Sequence, residues 1–273
     1  MIRDITIGQY YPADSLIHRL DPRVKLSGTM LFLISVFVFR GIAGFALITV
    51  FLAGMIRLSK VPFGYMVKGL KAIWVLMVIT AVFNLFLTNS EHILWQWKWL
   101  HITEEGVQTA VKMIIRLVYL ILGTSIMTLT TTPNELTDGL EKSLKPLQAI
   151  GVPVHEIAMM MAIALRFIPI LIEETDKIMR AQMARGADFE SGNLLRKAKA
   201  MIPLLVPLFV AAFRRANDLA MAMEARCYRG GAGRTKMKPL KYKKQDRIAY
   251  LILLAFLVAV IVLRRFDILD VIT

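Results

Sequence analysis

The 273-residue chain is 56% hydrophobic and carries 34 Lys plus Arg against 20 Asp plus Glu, a formal charge of +14. Ordinary soluble domains are about 45–50% apolar even with glycine counted, so lipid must be part of this chain's solvent, and a basic excess then reports cytoplasmic loops rather than nucleic-acid binding. A single cysteine, Cys227, excludes an internal disulfide, and with four histidines it makes no recognisable metal-ligand cluster.

Residues 1–20 are polar and lack the apolar core of a signal peptide, so insertion is expected to rely on internal spans. The first apolar run is Leu26 to Phe39, and a second follows Arg40-Gly41 and reaches Ile56, ahead of Arg57 and Lys60. Two short spans are expected, because one continuous helix would bury Arg40 at mid-membrane at a cost of about 2.5–3.5 kcal/mol. Pro62, Gly64, Lys68 and Lys71 interrupt the pattern before a third span, Ala72 to Thr88, with Asn84 as its polar member. The next loop, Asn89 to Gly106, holds Glu91, Glu104 and Glu105, one Lys98, and Trp95, Trp97 and Trp99, which suits an interfacial anchor.

A fourth span, Val107 to Thr130, carries Lys112 and Arg116 on one face of its first half, where they are expected to snorkel or face protein. Arg57, Lys60, Lys68 and Lys71 stand between spans two and three, so the N-terminus and everything after Thr130 are expected in the cytoplasm.

Residues 131–246 are helical by pattern and read as a cytoplasmic or interfacial insert. Thr132-Pro133-Asn134-Glu135 is a capping box with proline at the first helical position, and Leu136, Leu140, Leu144 and Leu147 recur at helical spacing. Pro146 should kink that helix, and Gly151 with Pro153 should turn the chain into the next. The second helix begins near Val154 and continues through Met183, supported in water by Glu173 with Lys177 and Asp176 with Arg180 at i,i+4. It stops at Ala184-Arg185-Gly186, where glycine suits a left-handed position and arginine the negative end of the dipole. A third helix, Leu194 to Arg226, ends similarly at Ala225-Arg226-Cys227. The basic stretch from Arg229 to Arg247 precedes a last span, Ile248 to Leu263, which leaves Arg264 and Arg265 on the outer side.

No Gly-x-x-x-x-Gly-Lys-Ser/Thr loop occurs, so the chain is not expected to hydrolyse ATP. His155-Glu156 begins like a zinc-protease motif, but Met159 stands where the second histidine is required. Gly230-Gly231-Ala232-Gly233-Arg234 lacks a preceding strand and reads as a connector. The methionines of the insert fill a core or pack adaptably on changing partners. Taken singly, Arg185 and Arg226 only offset exposed helix carbonyls. Their repetition favours docking on an acidic partner through bidentate hydrogen bonds.

Gly8, Tyr10, Ser15 and His18-Arg19-Leu20-Asp21-Pro22-Arg23 with Lys25, then Thr132-Pro133, Pro146-Leu147, Phe167-Ile168-Pro169 and the two Ala-Arg-small sites, form a pattern extending over essentially the whole chain. In it the sequence resembles the T component of energy-coupling factor (ECF) transporters, a branch of the ATP-binding-cassette importers. The resemblance implies a non-catalytic, multi-pass subunit of a prokaryotic cell membrane. Its partners would be two ABC ATPases, which bind ATP and Mg, and a membrane-embedded S component that holds a vitamin or metal ion. Carried over, the ATPase-coupling motifs fall on Ala184, Arg185 and Gly186 and on Ala225, Arg226 and Cys227. Cysteine in place of glycine puts a left-handed backbone at Cys227 in doubt.

The expected fold is all-α. Residues 1–25 form a cytoplasmic N-terminal segment, 26–130 a membrane domain of about four spans, 131–246 the coupling-helix region and 247–273 the last span. No cofactor or metal is assigned to this chain. The alternative, a self-sufficient secondary transporter or channel, needs ionisable groups converging at mid-membrane, and only Lys112, Arg116 and Asn84 are available.

Overall fold

The computed structural model describes residues 10–39, 41–87, 93–97, 100–187, 189, 194–231, 237 and 239–272. Gly8, Arg40, Thr88, Asn89, Glu91, Lys98, Trp99, Ala232, Gly233 and Arg234, used in the sequence reading, lie outside them. The chain divides into two compact units, one of Gly8–Gly139 with Leu240–Thr273 and one built on Leu140–Pro239.

The first unit is a helical bundle. Helix α1 runs Pro22–Val38, α2 Ile42–Ser59, α3 Phe63–Leu87, α4 Glu104–Thr130 and α8 Lys244–Ile272. Asp21 caps α1 by accepting from the Arg23 amide, and Pro22 sits at the first position, where no amide is needed. Helix α2 ends on Lys60 in the left-handed conformation, and Pro62 prevents continuation. Between α3 and α4 the Trp-rich segment forms a short antiparallel hairpin, β1 (Ile93–Trp97) paired with β2 (Leu100–Thr103). This hairpin is an addition to the expected all-α chain, and it follows from alternating large residues, which favour an extended pleat.

The core of this unit gathers one face from each helix: Phe32 and Val36 of α1, Ile48 and Leu52 of α2, Met66 of α3, Leu122 and Ile126 of α4, Phe256 and Val260 of α8. Phe51 and Phe256 stack at 4.2 Å. The outward faces are apolar too, with Ile42, Trp74 and Leu251 each more than 60% exposed. Apolar side chains inside and out are the pattern of a lipid-bathed bundle.

Among the described residues α2, α4 and α8 are long and apolar enough to cross a membrane, as is α6 (Val154–Ala184) of the second unit. Helix α3, bent by 59° between Phe63–Lys71 and Ile73–Phe86, makes a fifth if its two halves count as one span. The bend coincides with the expected start of the third span. Helix α1 has 17 residues, at the lower limit for crossing. The sequence pattern assigns helix α6 to the insert. Its first half is nevertheless apolar enough to qualify, because only His155, Glu156 and Arg166 interrupt it.

The second unit contains the end of α5 (Pro133–Ser143), a 3-10 turn at Lys145–Ile150, α6 and α7 (Leu194–Ala225). The capping box forms as expected: the Thr132 amide donates to Glu135 Oε2 at 3.2 Å, and the Glu135 amide to Thr132 Oγ1 at 3.3 Å. Pro146 falls inside the 3-10 turn rather than kinking α5, which has already ended at Ser143. Gly151, at φ +83, closes that turn.

Candidate functional site

The two Ala-Arg-small segments are the C-termini of α6 and α7, and they are built alike. Ala184 is the last residue of α6 and Arg185 its cap, followed by Gly186 at φ +88. The Gly186 amide donates to the Met183 carbonyl, and the Ala187 amide to that of Gln182, both at 3.0 Å. At the end of α7 the Cys227 amide donates to the Glu224 carbonyl at 2.8 Å, and the Tyr228 amide to that of Met223 at 3.0 Å. Each is a Schellman motif, residue for residue.

Cys227 therefore overturns one expectation. Its φ is +55, so a left-handed backbone forms there without glycine. The penalty, about 1–2 kcal/mol for an L-residue, is matched by two backbone hydrogen bonds worth about 0.5–1.5 kcal/mol each. The thiol is exposed.

Arg185 and Arg226 are exposed, and neither guanidinium has a hydrogen bond or ion pair among the described residues. An unpaired guanidinium on a rigid helix end is free to fork onto a carboxylate from another molecule.

Helices α6 and α7 run antiparallel. The Gln182 side chain reaches the Pro203 carbonyl at 3.4 Å, and Arg215 pairs with Glu174 at 3.2 Å. Pairing 182 with 203 and 174 with 215 fixes the direction. Arg185 therefore lies level with the first turns of α7, and Arg226 lies at the opposite end. At 1.5 Å per residue the stretch from Pro203 to Arg226 spans roughly 35 Å. Phe167 and Leu171 of α6 face Ala212 and Ala216 of α7 across an apolar crevice of about 270 Å³, beside Arg215.

Glu174 thus takes its partner from α7, not from its own helix. Arg180 donates to the Asp176 carbonyl rather than to its carboxylate, and no ion pair joins Glu173 to Lys177 among the described residues. His155 Nδ1 donates to the Glu141 carboxylate at 2.8 Å, and its ring lies against Gly231, where a Cβ would sit 2.2 Å from the imidazole. The loop following the second motif is thereby seated on the start of α6. Gly230 and Gly231 read only as a connector in the sequence, since the contact depends on a residue some 75 positions earlier.

The N-terminal signature folds into a polar junction of the first unit. Ser15 Oγ meets His18 Nδ1 at 2.7 Å, and His18 Nε2 meets the Tyr11 carbonyl at 3.0 Å. Lys25 Nζ donates to the carbonyls of His18 at 3.1 Å and Thr130 at 2.8 Å. Asp246, from the first turn of α8, accepts from the amides of Asp21 at 2.8 Å and Lys243 at 2.6 Å. Arg23 pairs with Asp21 at 2.9 Å and stacks 3.9 Å over the Tyr242 ring. Burial raises the Asp21 pKa, but the hydrogen bonds and charge of Arg23 outweigh it and hold the carboxyl below its ordinary value. Gly139 touches Pro22 so closely that a Cβ would approach to 2.9 Å.

Of the three polar groups available to a self-sufficient carrier, Arg116 and Asn84 are engaged structurally, while Lys112 is exposed. Arg116 Nη2 donates to the Phe39 carbonyl at 3.0 Å, capping the end of α1, and the Asn84 amide donates to the Thr80 carbonyl of its own helix at 2.8 Å. Arg116 faces protein, as one of its two expected orientations had it. Among the described residues no group of His, Cys, Asp and Glu is arranged to hold a metal ion.

A polytopic helical bundle joined to a pair of long amphipathic helices with matched, arginine-bearing ends defines a membrane subunit of a transporter. The family of cobalt transport proteins (CbiQ) matches residues 13–237. A relative from Clostridium kluyveri, "Energy-coupling factor transporter transmembrane protein EcfT", is 58% identical over 97% of this chain and 98% of its own length. Proteins of the same name from Acidaminococcus fermentans and Bacillus subtilis are 50% and 49% identical, over 97% and 94% of this chain and 98% of each relative. The chain belongs to this family, the transmembrane T components of ECF transporters.

Proposed function

We propose that this chain couples ATP hydrolysis by two cassette ATPases in the cytoplasm to movement of a membrane-embedded S component, for uptake of vitamins or metal ions, and catalyses nothing itself. The observation that carries this reading is the pair of matched Schellman ends, each with an unpaired arginine, at opposite ends of the antiparallel α6–α7 pair. Two similar partners roughly 40 Å apart would need two similar sockets, which supports docking of a pair of ATPases on one chain.

ATP and Mg belong to those ATPases, since the sequence has no phosphate-cradling loop. Closure and opening of the ATPase pair moves the ends anchored by Arg185 and Arg226. The helices act as levers on the S component, to which substrate binding belongs. The description of the matching family, cobalt transport, supports metal ions as one cargo class.

The test is copurification and transport with Arg185→Ala, Arg226→Ala and the double variant. Loss of a buried, hydrogen-bonded interface charge costs about 2–5 kcal/mol. Each single variant should therefore release ATPase or hydrolyse ATP without uptake, and the double variant should do neither assembly nor uptake. Normal uptake by the double variant would exclude the arginines from coupling.

A further inference from the structure

Between α1, α2, α4 and α8 a cleft of about 270 Å³ opens at the end of the bundle where α1 and α8 begin. Its walls include Phe32, Phe51, Met55 and Leu253, and Gly28 contributes bare backbone, a Cβ there lying 3.2 Å from Leu253. From Lys25 to Phe32 along α1 it runs seven residues inward, roughly 10 Å at 1.5 Å per residue. Beyond Lys25, the one polar side chain in the lining over this depth of α1 is Thr29, whose hydroxyl donates to the Lys25 carbonyl at 2.8 Å.

The outer end is different. Lys25 lines the cleft and is only 7% exposed. Its ammonium has three donors, of which the His18 and Thr130 carbonyls take two, and no carboxylate lies within ion-pair distance of it among the described residues. The two carbonyls leave one N–H without an acceptor, and the charge is offset only at longer range, by Glu135, Asp21 and Asp246, so a direct anionic partner would be favourable. Thr130 and Gln245 also line this end.

We infer that the cleft is a binding site for one anionic phospholipid, its acyl chain held between α1, α2, α4 and α8 and its phosphate taken up at Lys25. Apolar depth and a buried cation with a spare N–H at the mouth are the two features such an amphiphile matches, and neither a free anion nor a neutral lipid matches both. The lipid would wedge the starts of α1 and α8 against the end of α4, at the junction that Asp246 and Lys25 already tie together.

The experiment uses the full chain, purified in neutral detergent and incubated with phosphatidylglycerol or phosphatidylcholine of identical acyl chains, with retained lipid counted by native mass spectrometry. The wild-type chain should retain the anionic lipid roughly fivefold better. Lys25→Met should bring both lipids to the same level. Ala249→Trp, which places an indole in the cleft from α8, should lose the tightly held lipid of either kind while unfolding at the wild-type temperature. Because Ala249→Trp leaves the Lys25 hydrogen bonds intact, it decides the matter even if Lys25→Met does not fold. Equal retention of the two lipids by the wild-type chain, or undiminished phosphatidylglycerol on Ala249→Trp, would overturn the site. So would displacement of the lipid by millimolar inorganic phosphate, the mark of a soluble-anion site, or loss of a copurifying protein from Ala249→Trp with bound lipid unchanged.

Discussion

At residue scale the two motif ends differ in one position only, and that position is under backbone strain in one of them. Gly186 adopts φ +88 without cost, whereas Cys227 holds φ +55 with a Cβ. Gly186→Ala should therefore destabilise its end by about 1–2 kcal/mol, seen as roughly five- to thirty-fold faster hydrogen exchange at the Ala187 amide. Cys227→Gly should change exchange at the Tyr228 amide in the opposite sense, by about 1 kcal/mol or less once the greater freedom of glycine in the unfolded chain is counted. Faster exchange in Cys227→Gly would mean that the thiol, not the backbone, sets the end's stability. The end of α6 was legible in the sequence because Ala-Arg-Gly carries its own conformational signal. The end of α7 was misread at Cys227 because a local penalty is visible in sequence and the hydrogen bonds that offset it are not.

At the scale of elements, helix boundaries were legible wherever a short local rule fixes them: the capping box at Thr132 and Glu135, Pro133 at the start of α5, and the glycine after α6. What stayed hidden are contacts between elements distant in the chain. Arg116 caps α1 from α4 at a separation of 77 residues, and no local pattern encodes that. Arg116→Leu should leave the Phe39 carbonyl without its donor and lower stability by about 1–3 kcal/mol. Lys112→Leu, at an exposed position four residues earlier, should shift it by no more than about 0.5 kcal/mol. Unfolding of the purified variants in detergent compares them directly, and equal loss in both would remove the capping role. The Glu174–Arg215 pair is partly exposed, with 26% and 37% of the side chains accessible, and is expected to contribute no more than about 1 kcal/mol. A double-mutant cycle with Glu174→Gln and Arg215→Gln measures it, and a larger coupling would mark the pair as the clamp that sets the α6–α7 register.

For the molecule as a whole, the bundle is closed by a few polar residues joining its beginning to its end. Asp246 reaches back 225 residues to the Asp21 amide, which is why the N-terminal signature was recognisable as a pattern while its structural purpose was not. Asp21 titrates lower in the folded chain than in the unfolded one. Its contribution is thus fully present above its unfolded pKa, about 3.9, and is lost as pH falls through the lower folded value. Stability of the wild-type chain should hold from neutrality down to about pH 4 on this account and decline below it. Asp21→Asn should flatten that part of the acid limb while costing stability at neutral pH. An unchanged acid limb in Asp21→Asn would assign the loss to other carboxylates.

Cys227 has a further consequence for how the chain can be interrogated. It is the only thiol in 273 residues, it is exposed, and it stands at one end of the α6–α7 pair and not at the other. A maleimide dye or cross-linker attached there reports on a single side of an otherwise matched pair with no engineering of the chain. On the proposed coupling, an ATPase captured by that label would be the one docked at Arg226, so the handedness with which a lone, asymmetric chain would meet a pair of ATPases becomes readable from one covalent label.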